Sequence, residues 1–432
     1  MVQLCRYSAA SALILLSIAT EAQAASLYST KCGSLSGSTV SDPAVEVTEV
    51  EIVARVGPPP TNQVHRREHV LISAGLADAL GIDAEDLALN AESPQIRVSL
   101  GSGDPVPSAV FTVTAIDEND TSLTLAVWLP SSSTDTHNGF FKLFGSADPT
   151  TVFASPQEGT VHSMAPGTTV VVEDGVATRY VHFTEPNNAS SKHFRECVEI
   201  RGDDRLAVLV PHGGAIETSI SDQLGALLTE LEDYGYEPSV WESAGQWGGG
   251  STFQRWHVTS TQFSTASFPG LGDLVASGTY QYAVGLHGFS ETEMGVVLGG
   301  RSSRQVKCFL VSAIEDWLDN HGGLDGKITY KIFAPDNTSG PIDILRASTG
   351  SGDNPQPLDD VDDLDADSTH NIVNRLSPNA SGTRGHGGIQ IEMSKALRDD
   401  TSLFPEFILA LAYALDQQIE NDPTGDYCAQ YE

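Results

Sequence analysis

Four side chains stand out by where they fall. His212 and Glu217 lie in Pro211-His-Gly-Gly-Ala-Ile-Glu217, directly after the apolar run from Arg205 to Val210. A short, nearly continuous apolar run reads as a strand buried on both faces. His287 follows a similar run in Gly285-Leu-His-Gly-Phe289, and Glu392 closes Ile389-Gln-Ile-Glu392. In open α/β sheets, ligand sites gather at the carboxyl ends of strands. Gly213 and Gly214 let the backbone turn there, so both flanking side chains can face one centre. Two histidines and one carboxylate, with a fourth position open, are the ligand arithmetic of a catalytic zinc ion. Glu392 is left over as the unligated carboxylate that metal-assisted hydrolysis needs as a base. Spacing alone also fits histidines that only anchor loops. It is not the helical His-Glu-x-x-His arrangement, which is more specific.

The elements that must hold these residues form an α/β pattern. After the polar stretch from Glu185 to Lys192, strands alternate with helices. The periodicity predicts helices over Ser221–Tyr234, Gln305–Asp319 and Pro405–Ile419, and strands over Ser239–Glu242, Tyr280–Leu286, Leu324–Phe333 and Ile389–Ile391. That is a mixed sheet with flanking helices, over 191–432. Residues 25–190 read instead as a β-rich domain, with strands near Val45–Val56, Ala109–Val113, Ser122–Pro130 and Thr168–Glu173. One helix is expected there, from Ser73 to its stop at Gly81. That half offers no evident catalytic constellation. His65 and His69 are four apart, but Pro58–Pro60 and Arg66-Arg67 favour a loop or strand entry over a metal site.

The chain has 432 residues, enough for two domains, and a formal net charge of −34. Such an excess of acid excludes nucleic acid as a partner and disfavours anionic membrane. Residues 1–24 read as a secretory signal: Arg6, an apolar stretch from Ala9 to Ala19, and the small-x-small site Ala22-Gln-Ala24. No later stretch reaches membrane-spanning length. A secreted monomer is the expectation. Four cysteines then remain, Cys32, Cys197, Cys308 and Cys428, which suggests two disulfides, one of them fastening a chain terminus. Connectivity stays open. The acidic run Asp359–Asp367 lacks the glycine turn and final glutamate of a calcium loop and reads as solvated. Sequons at Asn119, Asn188, Asn337 and Asn379 point weakly to surface loops.

Several motifs occur in an order that resembles the poly-γ-glutamate hydrolase family. Pro211–Glu217 is similar to its His-Gly-Gly-Gly-Ile-Glu signature. Trp256-His-Val-Thr-Ser260 resembles Leu-His-Ile-Thr-Ser, Gly285–Phe289 resembles Ser-Ile-His-Gly-Tyr, and Gly299-Gly-Arg301 resembles a Gly-Gly-Arg step. Asn371-Ile-Val-Asn-Arg375 resembles Asn-Ile-Cys-Asn-Arg, and Ile389–Ser394 resembles Val-Gln-Leu-Glu-Leu-Ser. The likeness runs from about Leu206 to Arg398. It implies a zinc carboxypeptidase-like fold and zinc-dependent hydrolysis of γ-glutamyl amide bonds. It implies one Zn2+ held by His212, Glu217 and His287, and Glu392 as general base. Departures are Ala215 for the third glycine, Thr218-Ser219 for Pro-Gly, and a long glycine-rich stretch from Ser243 to Ser251.

Arginine forks bind carboxylates bidentately, so Arg301 and Arg375 are the expected substrate groups, with the Asn374 amide beside them. His257 is a further substrate contact or a partner of a ligand. The substrate expected is poly-γ-glutamate or a related amide-linked polymer. The rival expectation is a non-catalytic polymer- or cell-wall-binding protein that keeps the fold. The strong negative charge repels a polyanion at long range, but screening beyond about 8–10 Å leaves room for a local arginine-lined groove.

Overall fold

The computed structural model describes residues 44–47, 49–53, 68–87, 93–100, 108–128, 139–145, 161–163, 170–174, 194–245, 252–335, 341–344, 358, 366, 368–378, 387–423 and 425–431. The leader read over 1–24, the 185–192 linker, Cys32, His65, Asn188, Asn337, Asn379 and most of the 359–367 acidic run lie outside them.

Among the described residues, two eight-stranded sheets form. The first contains β1 (Ala44–Val47), β2 (Glu49–Val53), β3 (His69–Ser73), β4 (Gln95–Leu100), β5 (Ser108–Asp117), β6 (Thr124–Trp128), β7 (Val161–Ser163) and β8 (Val170–Asp174). Their order is β1-β8-β4-β5-β3-β6-β2-β7. Among the described residues, the strands support the β-rich reading of this half. The expected helix forms over Ala74–Leu80: the Ser73 side chain accepts from the Leu76 amide, and Gly81 ends it in the left-handed conformation, φ 72°. A second helix, Gly139–Phe144, goes beyond the one expected.

The second sheet contains β9 (Phe194–Glu199), β10 (Leu206–Gly214), β11 (Ser239–Gly245), β12 (Tyr282–Phe289), β13 (Gly295–Gly299), β14 (Thr329–Ile332), β15 (Ile342–Ile344) and β16 (Gly387–Ser394). Its order is β15-β14-β13-β16-β12-β10-β11-β9. Strands β11, β10, β12 and β16 run parallel at its centre, while β13 and β9 pair antiparallel beside them. Helices Ile220–Asp233, Arg304–Asn320 and Leu403–Asn421 bury their apolar faces on one side of the sheet. The mixed α/β sheet with flanking helices is therefore what this sequence forms.

Side-chain alternation along the central strands decides which face carries chemistry. Leu206, Val208 and Val210 of β10, Tyr282, Val284 and Leu286 of β12, and Ile389, Ile391 and Met393 of β16 face the helix-packed core. The alternate residues face a second cluster built around Trp241, Trp256, Phe263 and Phe268. His287, Gln390 and Glu392 fall on that second face by parity. His212 does not: its parity matches Val210. A register shift between Val210 and Gly213 in the β10–β11 pairing breaks the alternation. The His212 ring accordingly lies 6.3 Å, centre to centre, from Phe263.

The two sheets touch through named groups. Val110 of β5 joins the Trp241–Phe263 cluster. The Gln95 side chain donates to the Gln262 carbonyl at 2.7 Å and accepts from the Ser264 amide at 3.0 Å. The Lys142 ammonium donates to the His257 carbonyl at 3.1 Å, and Arg255 donates to the Ser108 carbonyl at 3.2 Å. Cys308 is bonded to Cys428 across 120 residues, fastening the C-terminal segment, and Cys197 is disulfide-bonded too. Among the described residues, no helix is long and apolar enough to cross a membrane.

Candidate metal centre

β10 delivers His212, and the turn after it delivers Glu217. A Cβ on Gly213 would sit 2.5 Å from Glu242 Oε1 and 2.7 Å from Ser221 Oγ, so that position accepts only glycine without a shift. Ser221 donates to Glu242 at 2.5 Å and accepts from the Gly214 amide at 2.6 Å, which ties the turn to β11. Ala215, where the family signature has glycine, is not among the positive-φ residues, and its amide donates to the Gly245 carbonyl at 2.8 Å. Ser219, which stands where the family has glycine, does adopt a left-handed backbone, φ 75°.

The Val258 carbonyl lies 2.8 Å from His212 Nε2 and can only accept, so Nε2 carries the proton. His212 Nδ1 then points at Glu217 Oε1, 2.8 Å away, and at His287 Nδ1, 3.1 Å away. The other Glu217 oxygen accepts from the Gly288 amide at 2.7 Å, which aims the first at the histidines. Lone pairs converging in this way repel unless a proton or a metal cation lies among them. The donor set, two imidazole nitrogens and a carboxylate, is one that zinc favours. All three residues are buried.

The electrostatics agree. Burial opposes charge on His212, but the Glu217 carboxylate outweighs it and raises the imidazole above its ordinary value. Burial likewise works against the Glu217 carboxylate, and His212 more than offsets it, leaving Glu217 lowered. His287 is pushed down to about 3, by burial first and then by His212. Each of the two groups, His212 and Glu217, thus favours the charged form of the other.

Glu392 sits beside them. Its Cα is paired with that of His287 across β12 and β16, and Oε1 lies 3.8 Å from His287 Nδ1. Burial, followed by the Glu217 carboxylate, pushes it up to about 8. Gln390 donates to Glu392 Oε1 at 2.8 Å, and Asn371 donates to the Gln390 oxygen at 2.8 Å, forming a chain of amides behind the carboxylate.

His257 is closer to the centre than its expected supporting part required. Its ligand atom and those of His212 and Glu217 all lie within 4.8 Å of one another. Its ring packs on His212 with centroids 4.1 Å apart. Burial, then His212, lowers it to about 4, so it is neutral. The ligand atoms that lie mutually this close thus take in His257, while His287 joins them through the 3.1 Å approach of its Nδ1 to that of His212.

The remaining expected residues are placed less directly. Asn374 is buried and its amide is engaged by backbone: it accepts from the Arg301 amide at 3.0 Å and donates to Ala366 and Ser368 carbonyls at 2.7 and 2.8 Å. Its visible work is to hold the Gly299–Arg301 step in place. Arg375 donates to the Phe263 carbonyl at 2.7 Å. His69 meets Gln262 rather than a metal group. Residues 246–251 of the glycine-rich stretch lie outside the described residues.

Reading the sequence missed Glu68. It comes from the half that seemed to offer no chemistry, and it is buried against His257 across 189 positions of chain. Its only local signal was a carboxylate between Arg67 and His69. The Gln390–Asn371 chain has no signal of its own in the sequence either, although its two residues belong to the Asn371–Arg375 and Ile389–Ser394 motifs.

Residues 180–322 match the sequence profile of the family described as Poly-gamma-glutamate hydrolase. The match includes His212, Glu217, His257, His287 and Arg301, so the resemblance read from the motifs is borne out over that segment, and it supports a hydrolase. No curated protein matches the chain significantly. Among solved structures, the chain is similar to zinc-free YNDL, at 21% identity over 52% of this chain and 90% of that one, TM-score 0.33. It is similar to a bacteriophage poly-gamma-glutamate hydrolase, at 20% identity over 53% of this chain and 88% of that one, TM-score 0.33. It is also similar to a metallo-carboxypeptidase from Pseudomonas aeruginosa, at 11% identity over 87% of this chain and 88% of that one, TM-score 0.29.

Proposed function

We propose that this protein is a secreted, zinc-dependent hydrolase of amide bonds, acting on γ-glutamyl linkages of poly-γ-glutamate or a closely related polymer. The observation that carries the reading is the convergence of His212, Glu217 and His287 around His212 Nδ1, with Glu392 alongside. His212, Glu217 and His287 would hold the ion. When bound, zinc supplies Lewis acidity and draws down the proton affinity of its neighbours. Glu392 accepts the proton of the attacking water and passes it to the leaving amine. Gln390 keeps the carboxylate aimed, since its amide hydrogen bonds the acting oxygen. Burial of the centre strengthens each of these interactions relative to water.

Arg301 and Arg375 are assigned to substrate carboxylates, with Asn374 positioning Arg301 through its backbone. The disulfides at Cys308–Cys428 and Cys197 support an oxidising compartment, in keeping with secretion. The test is incubation of the purified protein with poly-γ-glutamate and with an α-linked glutamate polymer, with and without zinc. Shortening of the γ-linked chain alone, and only with metal, supports the reading. Tight polymer binding with no new amine ends would mark a binder instead.

A further inference from the structure

One part of the centre comes from the far end of the chain. Glu68, at the entry to β3, is buried, and its Oε1 lies 2.5 Å from His257 Nδ1. Its Oε2 accepts from the Thr259 amide at 3.0 Å and from the Thr259 hydroxyl at 2.9 Å. Lys142, from the same β-rich half, holds the His257 carbonyl. The β-rich half therefore grips His257 by both its ring and its backbone. A carboxylate can only accept, so the ring proton sits on Nδ1 and Nε2 keeps its lone pair. Among the described residues, Nε2 makes no hydrogen bond, and the ring packs against His212.

We propose that Glu68 is a positioning residue that holds His257 in the Nδ1–H tautomer, so that Nε2 donates its lone pair to the cation shared by His212 and Glu217. The proposal rests on the zinc reading above and makes the β-rich half a structural component of the metal site. Ligating histidines commonly give their other N–H to a carboxylate, which fixes the ring and raises its basicity. Catalytic zinc sites sometimes expand to five ligands in the transition state, which would leave one position for substrate or water beside four protein donors.

Glu68→Gln is a sharp test. The Thr259 amide and hydroxyl demand an acceptor, so the oxygen of the substituted side chain turns to them. Its NH2 then faces His257 Nδ1 and forces the proton onto Nε2, towards the cation. In metal-free protein labelled with 15N-histidine, wild type should show a bare Nε2 for His257, and Glu68→Gln should show the reverse. One equivalent of zinc should shift the wild-type Nε2 resonance. By chelator competition, zinc affinity should fall about 10- to 100-fold in Glu68→Gln. Lys142→Met loosens the same segment without touching the ring, so it should keep the wild-type tautomer and lose less zinc affinity than Glu68→Gln. An unmoved Nε2 resonance, or equal zinc affinity in Glu68→Gln, overturns the proposal while leaving the zinc site standing. Equal losses in Lys142→Met and Glu68→Gln also overturn it, because the interface rather than the tautomer would then be responsible. The wild-type resonance decides the matter even if Glu68→Gln does not fold. No zinc uptake by wild type would instead bring down the hydrolase reading itself.

Discussion

The Nδ1 atoms of His212 and His287 face each other 3.1 Å apart, on neighbouring parallel strands. Because the Val258 carbonyl takes the Nε2 proton of His212, the Nδ1 lone pair of that ring faces both His287 and the Glu217 carboxylate, a meeting that a proton or a metal cation among them relieves. Metal analysis of the purified protein should find about one zinc per chain. His212→Ala removes the atom that both other proposed ligands face, so metal and activity should vanish together. Full zinc content in that variant would move the metal elsewhere.

Glu392→Gln keeps shape and removes the proposed base. The residue lies beside the proposed ligands without completing their set, so zinc content should stay near normal. The turnover number should fall about 10²- to 10⁴-fold, the usual worth of a general base, with little change in substrate affinity. Loss of zinc with unchanged activity per bound metal would instead make Glu392 a ligand.

Ser219 adopts φ 75° just ahead of helix Ile220–Asp233, and its side chain makes no capping hydrogen bond there. A left-handed backbone costs a non-glycine residue about 1–2 kcal/mol, and glycine's extra chain entropy takes back about 0.5–1. Ser219→Gly should therefore stabilise the protein by up to about 1.5 kcal/mol in urea unfolding. A clear loss of stability would mean the serine side chain has a role that outweighs the strain.

Replacing both Cys308 and Cys428 by alanine opens a loop of 120 residues. Loop entropy alone gives the bridge about 5 kcal/mol, less any structure kept in the unfolded chain. The midpoint of thermal unfolding should drop by many degrees, and reduction of wild type, which also opens the Cys197 bridge, should lower it at least as far. An unchanged midpoint would show that helix Leu403–Asn421 docks without the bridge.

Much of the site was legible in the sequence because strand periodicity is regular. His287, Gln390 and Glu392 each alternate with core residues, so their common face follows from counting. His212 breaks that count. Only the register shift at Val210–Gly213 brings it to the same face, and a bulge leaves no periodic trace. Glu68 was illegible for another reason. Its partner is set by how two sheets meet, and nothing local to residues 65–69 encodes that meeting. Asn374 misleads in the opposite sense: an amide beside an arginine reads as a substrate group, yet the backbone around it takes up both ends.

The most direct test of the central claim is the appearance of new amine ends from poly-γ-glutamate when zinc is returned to metal-free protein. The account predicts no cleavage before zinc, cleavage at about one equivalent, and none at any zinc level in Glu392→Gln. Cleavage by metal-free wild type, or undiminished cleavage by Glu392→Gln, would contradict it.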